Sequence, residues 1–481
     1  MIIRWICEKC DKKWIYPIEK CPYCKGQIDK QKGTKLKIIG ITKVLIPSPM
    51  HPIIPYNILL LEDEHGNRIP KKTMKEFKVG EDYVQEKAKS SDAVAIVKIK
   101  YDIYEAINES LEILNENFKA GDKILIKPSI ITAAYPYQAA TTNPEFFNAL
   151  LKVLFEKGIN KEDIIVAEQA LIGSETMDAA SKAGILDVCK KNDVKFADIS
   201  KGPFEEIKTD SSVYRIYKEA LGRKIINAPM METNFQIGIS GALENLSRLA
   251  DKQTQREMYY LDINHTLPKL KKLLPDVLTV ADASNGMQGQ GPLLSGEPAF
   301  LNLVIAGRNP SYVDKIFCEA TMIDIPDHIL NSGVAACSIE VVGTEIDALK
   351  YPIKQPNKNE SPHPDIKLLD FRSCPECLNR IYNLTSKLVG VRGQQITLLT
   401  GPAFAKEDIK KFERLVALGD CAIKRLNDLK LSDIEIIDSK IDQVEQLLLL
   451  KKILVTEGRP SITPVDKVKS KMQKLLSKVI G

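Results

Sequence analysis

Between Ser90 and Lys354 the chain switches repeatedly between two apolar periods. YEAINESLEILNENF carries its apolar residues at helical spacing, and the run inside KAGDKILIKPSI reads as a strand. NPEFFNALLKVLFEKGI predicts a helix, with Pro144 in its first turn and Gly158 near its end. DIIVAEQA predicts a strand, TMDAASKAGILDVCKKN a helix and VKFADI another strand. This succession predicts a central α/β domain over residues 90–354 with a largely parallel sheet. Its functional loops are then expected at the carboxyl ends of the strands.

The pattern differs on either side. Before residue 88 the runs are short and β-branched. KLKIIGITKVLI reads as a strand, and PYNILLLEDEHGNRIPKKT as strand, turn at His65-Gly66-Asn67 and strand. FKVGEDYV reads as a turn into a strand end. These runs predict a small OB-like β-barrel over residues 31–88, preceded by a zinc ribbon over residues 1–30. Beyond the polar, proline-rich linker YPIKQPNKNESPHP, helical and strand periods alternate again. CPECLNRIYNLTSKLVG predicts a knuckle entering a helix, and QQITLLTGP, LVAL and IEIIDSK predict strands. Residues 366–454 are thus expected to form a small C-terminal α/β domain containing the CxxC. Residues 455–481 read as a basic helical tail that docks on a partner or on this chain. The fold class is multidomain α/β.

The totals add little to this picture. A length of 481 residues predicts two to four domains, and 44% hydrophobic with 27% charged residues is ordinary for a globular protein. A net charge of +5 does not argue for nucleic acid. No apolar run is long enough to span a bilayer, and MIIRWICEKC lacks the apolar core and cleavage site of a signal peptide. A cytoplasmic, reducing location without membrane attachment is the expectation.

Cysteine changes the picture more. Of ten cysteines, six form three CxxC pairs. In a reducing compartment such pairs read as metal or redox sites before disulfides. CEKCDKKWIYPIEKCPYC places Cys7, Cys10, Cys21 and Cys24 as two knuckles, enough for a closed tetrahedral site. Structural zinc is expected there, with a rubredoxin-type iron as the competitor. Cys374 and Cys377 lack a second pair. Cys421, in LVALGDCAI at an expected strand-to-helix turn, is the other cysteine of that domain. Three thiolates with one open position suit a 4Fe–4S cluster with an accessible iron, or a second metal such as zinc with an exchangeable ligand. The alternative is a redox or incidental CxxC beside a buried thiol. Glu376 and Asp420 are acid/base candidates by proximity in sequence.

Three central loops carry the remaining candidates. In the first, Lys127 leaves a strand and Thr141-Thr142-Asn143 precede a helix; the side chains either cap the helix or, with Lys127, bind an anion. In the second, a polar turn at Glu232-Thr233-Asn234 leads to Gly238 and Gly241 and then to Glu244 and Asn245. The third has Asp282 at a strand end, then Gly286, Gly289 and Gly291, whose N–H groups either cradle an oxyanion or form a tight structural loop. Its spacing is neither a P-loop nor a dinucleotide fingerprint, so neither ATP nor NAD is expected. Glu232, His265 and Asp282 are the acid/base candidates. Lys127, Asn234, Asn245, Gly286, Gly289 and Gly291 are the candidates for holding a ligand or cofactor.

Two resemblances follow from these segments. The ribbon with CPYC, then PYNILLLE and FKVGEDYV, resembles the rubredoxin-like ribbon plus OB-fold proteins that accompany thiolases and other acyl-CoA enzymes. That resemblance implies a partner-bridging or acyl-CoA-binding module over roughly the first 85 residues; a nucleic-acid-binding OB module is the rival. KPSI, TTNPEF, INAPMMETN with GALENL, VLTVADASNGMQGQGP and LVIAGRNPSYVD resemble the domain of unknown function 362 family over most of Ala93 to Glu345. Its members are often associated with iron–sulfur clusters, and it distantly resembles the first domain of nickel-dependent lactate racemase-like proteins. The family usually has a basic triplet where Glu232-Thr233-Asn234 stands, and a lysine where Glu244 stands. The resemblance leaves Lys127, Asn234, Asn245, Asp282 and Asp314 as pocket residues. Together these readings lead to a metalloenzyme acting on an anionic small molecule or acyl-CoA. A non-enzymatic scaffold for a thiolase-type enzyme and a nucleic-acid accessory protein are the alternatives, and an oligomer is allowed by each.

Overall fold

Strands buried from end to end need cover on both faces, and the central strands of this chain are of that kind. The structure is a computed structural model. It describes residues 1–470 except 50, 172–173, 210–211, 293–295, 335–337, 358–360, 362, 389, 439–440, 455–461, 465 and 469. Most of the predicted basic tail therefore lies outside the described residues. The chain divides into two compact units. The first comprises Met1–Ala170, Glu175–Asp251 and Pro268–Pro356. The second comprises the described residues of Leu171–Ser174, Lys252–Leu267 and Asn357–Gly481.

The first unit begins with β1 (Ile2–Cys7), β2 (Lys13–Trp14) and β3 (Ile28–Gly33), paired antiparallel in the order β2-β1-β3. Next come β4 (Leu36–Val44), β5 (Tyr56–Glu62), β6 (Arg68–Thr73) and β7 (Asp82–Tyr83), a four-stranded antiparallel sheet in the order β6-β5-β4-β7. The region predicted as a barrel is thus described here as one antiparallel sheet, ending on a two-residue strand.

The central sheet runs through β8 (Val94–Lys98), β9 (Ile124–Pro128), β10 (Ile164–Glu168) and β11 (Lys195–Asp198). A hairpin of β12 (Phe204–Lys208) and β13 (Val213–Tyr217) intervenes as a separate two-stranded sheet. The central sheet continues with β14 (Lys224–Ala228), β15 (Met230–Asn234), β16 (Gly238–Ser240) and β17 (Val277–Gly289). It ends with β18 (Gly296–Pro298), β19 (Leu303–Gly307) and β20 (Val341–Gly343). The order is β11-β10-β9-β14-β17-β19-β8-β20, and β11, β10, β9, β14 and β17 are all parallel. Strand β19 is antiparallel to both its neighbours. The short link from β17 through β18 to β19 leaves no room for the crossover a parallel strand requires. Ile124, Leu125 and Ile126 are fully buried. The helix Pro144–Glu156 covers one face with Phe146, Phe147 and Leu150, and Asn143 caps its first turn.

Two expected loops are strands. Glu232-Thr233-Asn234 lies in β15 and pairs with Ser240, Ile239 and Gly238 of β16. Asp282 does not end β17, which continues through Gly286 to Gly289 and pairs Met287–Gly289 with Gly296–Pro298. Polar residues and glycines at these positions signal turns locally, but β15 also pairs in parallel with β17, Met230 with Asp282 and Glu232 with Met287, and a local reading does not find that distant partner.

In the second unit β21 (Ile366–Asp370), β22 (Ile396–Thr400), β23 (Leu415–Leu418) and β24 (Glu435–Ile437) form a wholly parallel sheet in sequential order. Helices Pro375–Ser386, Asp420–Asp428 and Gln443–Leu454 alternate with the strands. Lys252–Leu273 is two helical segments broken at Asp262, whose φ is 97° and whose carboxylate accepts the Asn264 N–H. Among the described residues no helix is long and apolar enough to cross a membrane.

Gly343 offers a test of the close fit between β20 and β8. Its φ is +100°, and an added Cβ would lie 2.4 Å from the Ile96 carbonyl oxygen. Gly343→Ala is expected to lower unfolding stability by about 2 kcal/mol or more, read by urea denaturation.

Candidate functional site

Matching knuckles bring the first four cysteines together. The Asp11 N–H donates to the Cys7 carbonyl and the Lys25 N–H to the Cys21 carbonyl, and both donors sit at positive φ. Each knuckle closes again through Cys7 N–H to Lys12 O and Cys21 N–H to Gly26 O. The Sγ atoms of Cys7 and Cys24 are 3.3 Å apart, those of Cys10 and Cys21 3.6 Å, and all four lie within 4.8 Å of one another. Gly26 packs against this cluster: a Cβ there would come within 3.0 Å of the Cys7 sulfur. Four convergent soft donors at this spacing could hold a metal ion.

The candidates of the central sheet occupy a sealed network. Lys127, at the end of β9, is fully buried. Its ammonium donates to Glu168 Oε2 at 2.6 Å, to the Pro128 carbonyl at 2.9 Å and to Asn245 Oδ1 at 3.1 Å. Those three acceptors match the three donors of a lysine. Glu168, also fully buried, further accepts the N–H groups of Ile130 and Gln169. Burial pulls the Lys127 pKa down and pushes that of Glu168 up, and each charge opposes the other's shift. We read the pair as ionised, because every oxygen and proton of it faces a partner. Asn245 donates to Lys127 O and to Asn227 Oδ1, joining its short helix to β9 and β14.

Most of the remaining central candidates are engaged in the same way. Asp282 accepts the Asn143 N–H at 2.8 Å and both the N–H and hydroxyl of Ser284. Asn234 Oδ1 accepts the Gln236 and Ile237 N–H groups, and its amide donates to Ser240. Glu232 is buried in β15, and Glu244 lies 3.7 Å from Arg248. Asp314 caps the Ala242 and Leu243 N–H groups at 2.6 and 2.8 Å. Gly286 and Gly291 serve close packing, and Gly289 a backbone bond. A Cβ at Gly291 would lie 2.1 Å from Thr233 O, one at Gly286 would lie 2.8 Å from Leu301, and the Gly289 N–H is bonded to Lys354 O. Sequence reasoning passed over Glu168 and Gln169. The signal was an acid at the carboxyl end of a strand, the place where Lys127 had already drawn notice. His265 is exposed on the second helical segment of Lys252–Leu273 and belongs to the second unit.

The second unit uses the same architectural position differently. Cys374 follows β21 and is the N-cap of Pro375–Ser386, which places Cys377 in the first turn. Cys421 sits in the first turn of Asp420–Asp428, after β23. Gly419, at φ +105°, lets these loops meet: a Cβ there would lie 2.9 Å from Cys377 Sγ. The Cys377 thiol interacts electrostatically with those of Cys374 and Cys421. The neighbouring Cys377 thiol lowers the Cys374 pKa and brings that of Cys421 to about 7, with Arg256 assisting at Cys421, while the Cys377 pKa is pushed up. Two helix N-termini at the site also favour thiolates. Cys374 and Cys421 line a cavity of about 310 Å³ together with four cationic side chains, Arg256, Arg372, Lys424 and Arg425, and two carboxylates, Glu257 and Asp428. Arg256 also pairs with Glu376 at 2.8 Å, and Arg372 with Asp262 at 3.3 Å. Asp420 occupies the first turn beside Cys421. The arginines escaped sequence reasoning because nothing local ties Arg256 to residues over a hundred positions away.

Two outcomes test the sealed network. Lys127→Met is expected to cost about 3–5 kcal/mol by leaving Glu168 buried without its counter-charge, and adding Glu168→Gln is expected to recover part of that loss. Asp314 gives a pH test. Burial raises its carboxyl pKa to about 7, above the unfolded value of 3.8. Its contribution is therefore fully present below the unfolded value and is lost as pH rises toward 7. The stability difference between wild type and Asp314→Asn should fall over that window in urea titrations; a constant difference would contradict the assignment.

Comparison with known proteins bears on the central part of the chain. A thylakoid-associated protein, sll1697, from Synechocystis sp. (strain ATCC 27184 / PCC 6803 / Kazusa) is 21% identical over 215 residues, which span 43% of this chain and 65% of that protein. A solved structure described as Ltp2-ChsH2(DUF35) aldolase aligns at 18% identity and a TM-score of 0.15, over 18% of this chain and 73% of that one. Residues 124–319, which contain the Lys127–Glu168–Asn245 network, match the family described as Domain of unknown function (DUF362).

Proposed function

We propose that this protein is a metalloenzyme with two thiolate centres of different kinds. Cys7, Cys10, Cys21 and Cys24 hold a structural zinc, since a closed set of four thiolates leaves no position for a substrate. Cys374, Cys377 and Cys421 hold a second centre, a 4Fe–4S cluster or a zinc, with one position open. The observation that carries this reading is the placement of Cys374, Cys377 and Cys421 at the starts of two helices on the carboxyl edge of a parallel sheet, with Gly419 packed against the Cys377 sulfur and Cys374 and Cys421 lining one cavity. A metal with an open position supplies Lewis-acid chemistry suited to hydration, dehydration or isomerisation. Arg256 and Arg372 bind and orient an anionic small molecule next to it. The resemblance of the ribbon and its following sheet to acyl-CoA-associated modules supports a second role for that segment, engagement of an acyl-CoA enzyme.

A second reading is favoured by one feature. Cys374-Pro375-Glu376-Cys377 opens a helix directly after a strand, an arrangement that also suits dithiol–disulfide exchange.

Anaerobic purification followed by iron, zinc and acid-labile sulfide analysis separates these readings. The metalloenzyme reading expects about one zinc per chain that is lost in Cys21→Ser, and a second metal complement that is lost in Cys421→Ala. A single metal equivalent untouched by Cys421→Ala would remove the second centre. A reversible Cys374–Cys377 disulfide in mass spectrometry, without that metal, would establish the exchange reading in its place.

A further inference from the structure

The first unit contains a cavity that none of the foregoing chemistry uses. It has a volume of about 550 Å³, within the range of ligand pockets, and lies between edge strand β6 and the β8–β19 side of the central sheet. Its apolar wall is built from Ala299, Leu301, Leu303, Leu349 and Tyr351. Phe300 stands beside them, 68% exposed, a large apolar ring left in water.

The polar part of the lining carries one sign of charge. Lys71, Lys72, Lys98, Lys100 and His51 all contribute, and no Asp or Glu does. Composition does not explain this, since the whole chain balances 68 Lys and Arg against 63 Asp and Glu. Among the described residues none of the four lysines forms an ion pair. Lys98 donates to the Leu301 carbonyl at 3.0 Å, while Lys72 lies 3.3 Å from His51 Nδ1 and 4.3 Å from the centre of the Tyr56 ring. The carboxylates nearest Lys71 are occupied elsewhere. Glu345 accepts the Thr73 hydroxyl and the Met74 N–H, and Glu109 accepts from Gln85. Burial pulls the Lys71 ammonium below its ordinary pKa, a pull that Glu109 and Glu345 oppose and Lys75 adds to. Four ammonium groups around an apolar hollow repel one another unless an anion joins them.

We propose that this cavity binds an anionic amphiphile, with its apolar chain against Leu301, Leu303 and Leu349 and its phosphate or carboxylate head among Lys71, Lys72, Lys98 and Lys100. No cysteine of either thiolate centre lines this cavity.

The test is isothermal titration calorimetry of the full chain with octyl phosphate, octanoate, octanol and inorganic phosphate. At least one anionic amphiphile is expected to bind ten-fold or more tighter than octanol and than inorganic phosphate. The tighter of octyl phosphate and octanoate identifies the head group. Lys71→Met/Lys100→Met is expected to weaken binding about ten-fold or more while leaving the unfolding temperature and metal content unchanged. If that variant fails to fold, Lys72→Met/Lys98→Met takes its place with the same expectation. Octanol binding as tightly as the anions, inorganic phosphate binding as tightly as octyl phosphate, or a folded double variant with undiminished affinity would each overturn the proposal.

Discussion

An ammonium group sealed from water must find its counter-charge and its acceptors inside the protein, and Lys127 imposes that requirement on the central sheet. Its three partners come from β10, from its own strand and from the Ala242–Asn245 helix. Asn245 carries the connection on to Asn227 of β14, whose amide reaches the Ala242 carbonyl. The parallel strands are thus registered by their apolar pairing and locked at their carboxyl ends by a closed polar network. Removing any member leaves another buried group without a partner, so the network constrains the sheet as a whole.

The two units treat the same architectural position in opposite ways. Strand carboxyl ends in parallel sheets are the usual ground for ligands. In the first unit that ground is filled by protein: Lys127, Glu168, Asn227 and Asp282 have no exposure. In the second unit it opens onto a cavity whose lining includes two thiols, three guanidinium groups, an ammonium and two carboxylates. The difference is one of packing. Short helix Ala242–Asn245 and its cap Asp314 close over the first sheet, whereas Gly419 and Gly401, both at positive φ, keep the second sheet's loops low and close to the thiols.

Much of the fold could be read from the chain. The strand–helix alternation after residue 90 announces a parallel sheet, because apolar period and crossover length leave few other arrangements. The paired knuckles at Cys7/Cys10 and Cys21/Cys24 are legible because all four ligands fall within eighteen residues of sequence. What was illegible is long-range. Glu232-Thr233-Asn234 looks like a turn until β17 pairs with β15 through Glu232 and Met287, and Gly286 and Gly289 look like a loop until that pairing carries β17 on past Asp282. Candidate ligands at Lys127, Asn234 and Asp282 looked available because a sequence shows which groups can bind and does not show which are already bonded.

The sequence by itself determined the local terms: helix and strand periods, caps such as Asn143, and the cysteine spacing that makes a four-thiolate cluster. Those depend on residues close along the chain, where geometry is fixed by covalent connectivity. Tertiary structure alone decided which polar groups are sealed and which face a cavity. It set Glu168 against Lys127, Arg256 beside Cys374 and Cys421, and Lys71 near Lys100 without a carboxylate in the lining. Burial and charge pairing arise between segments tens to hundreds of residues apart, and only their packing fixes what each group meets.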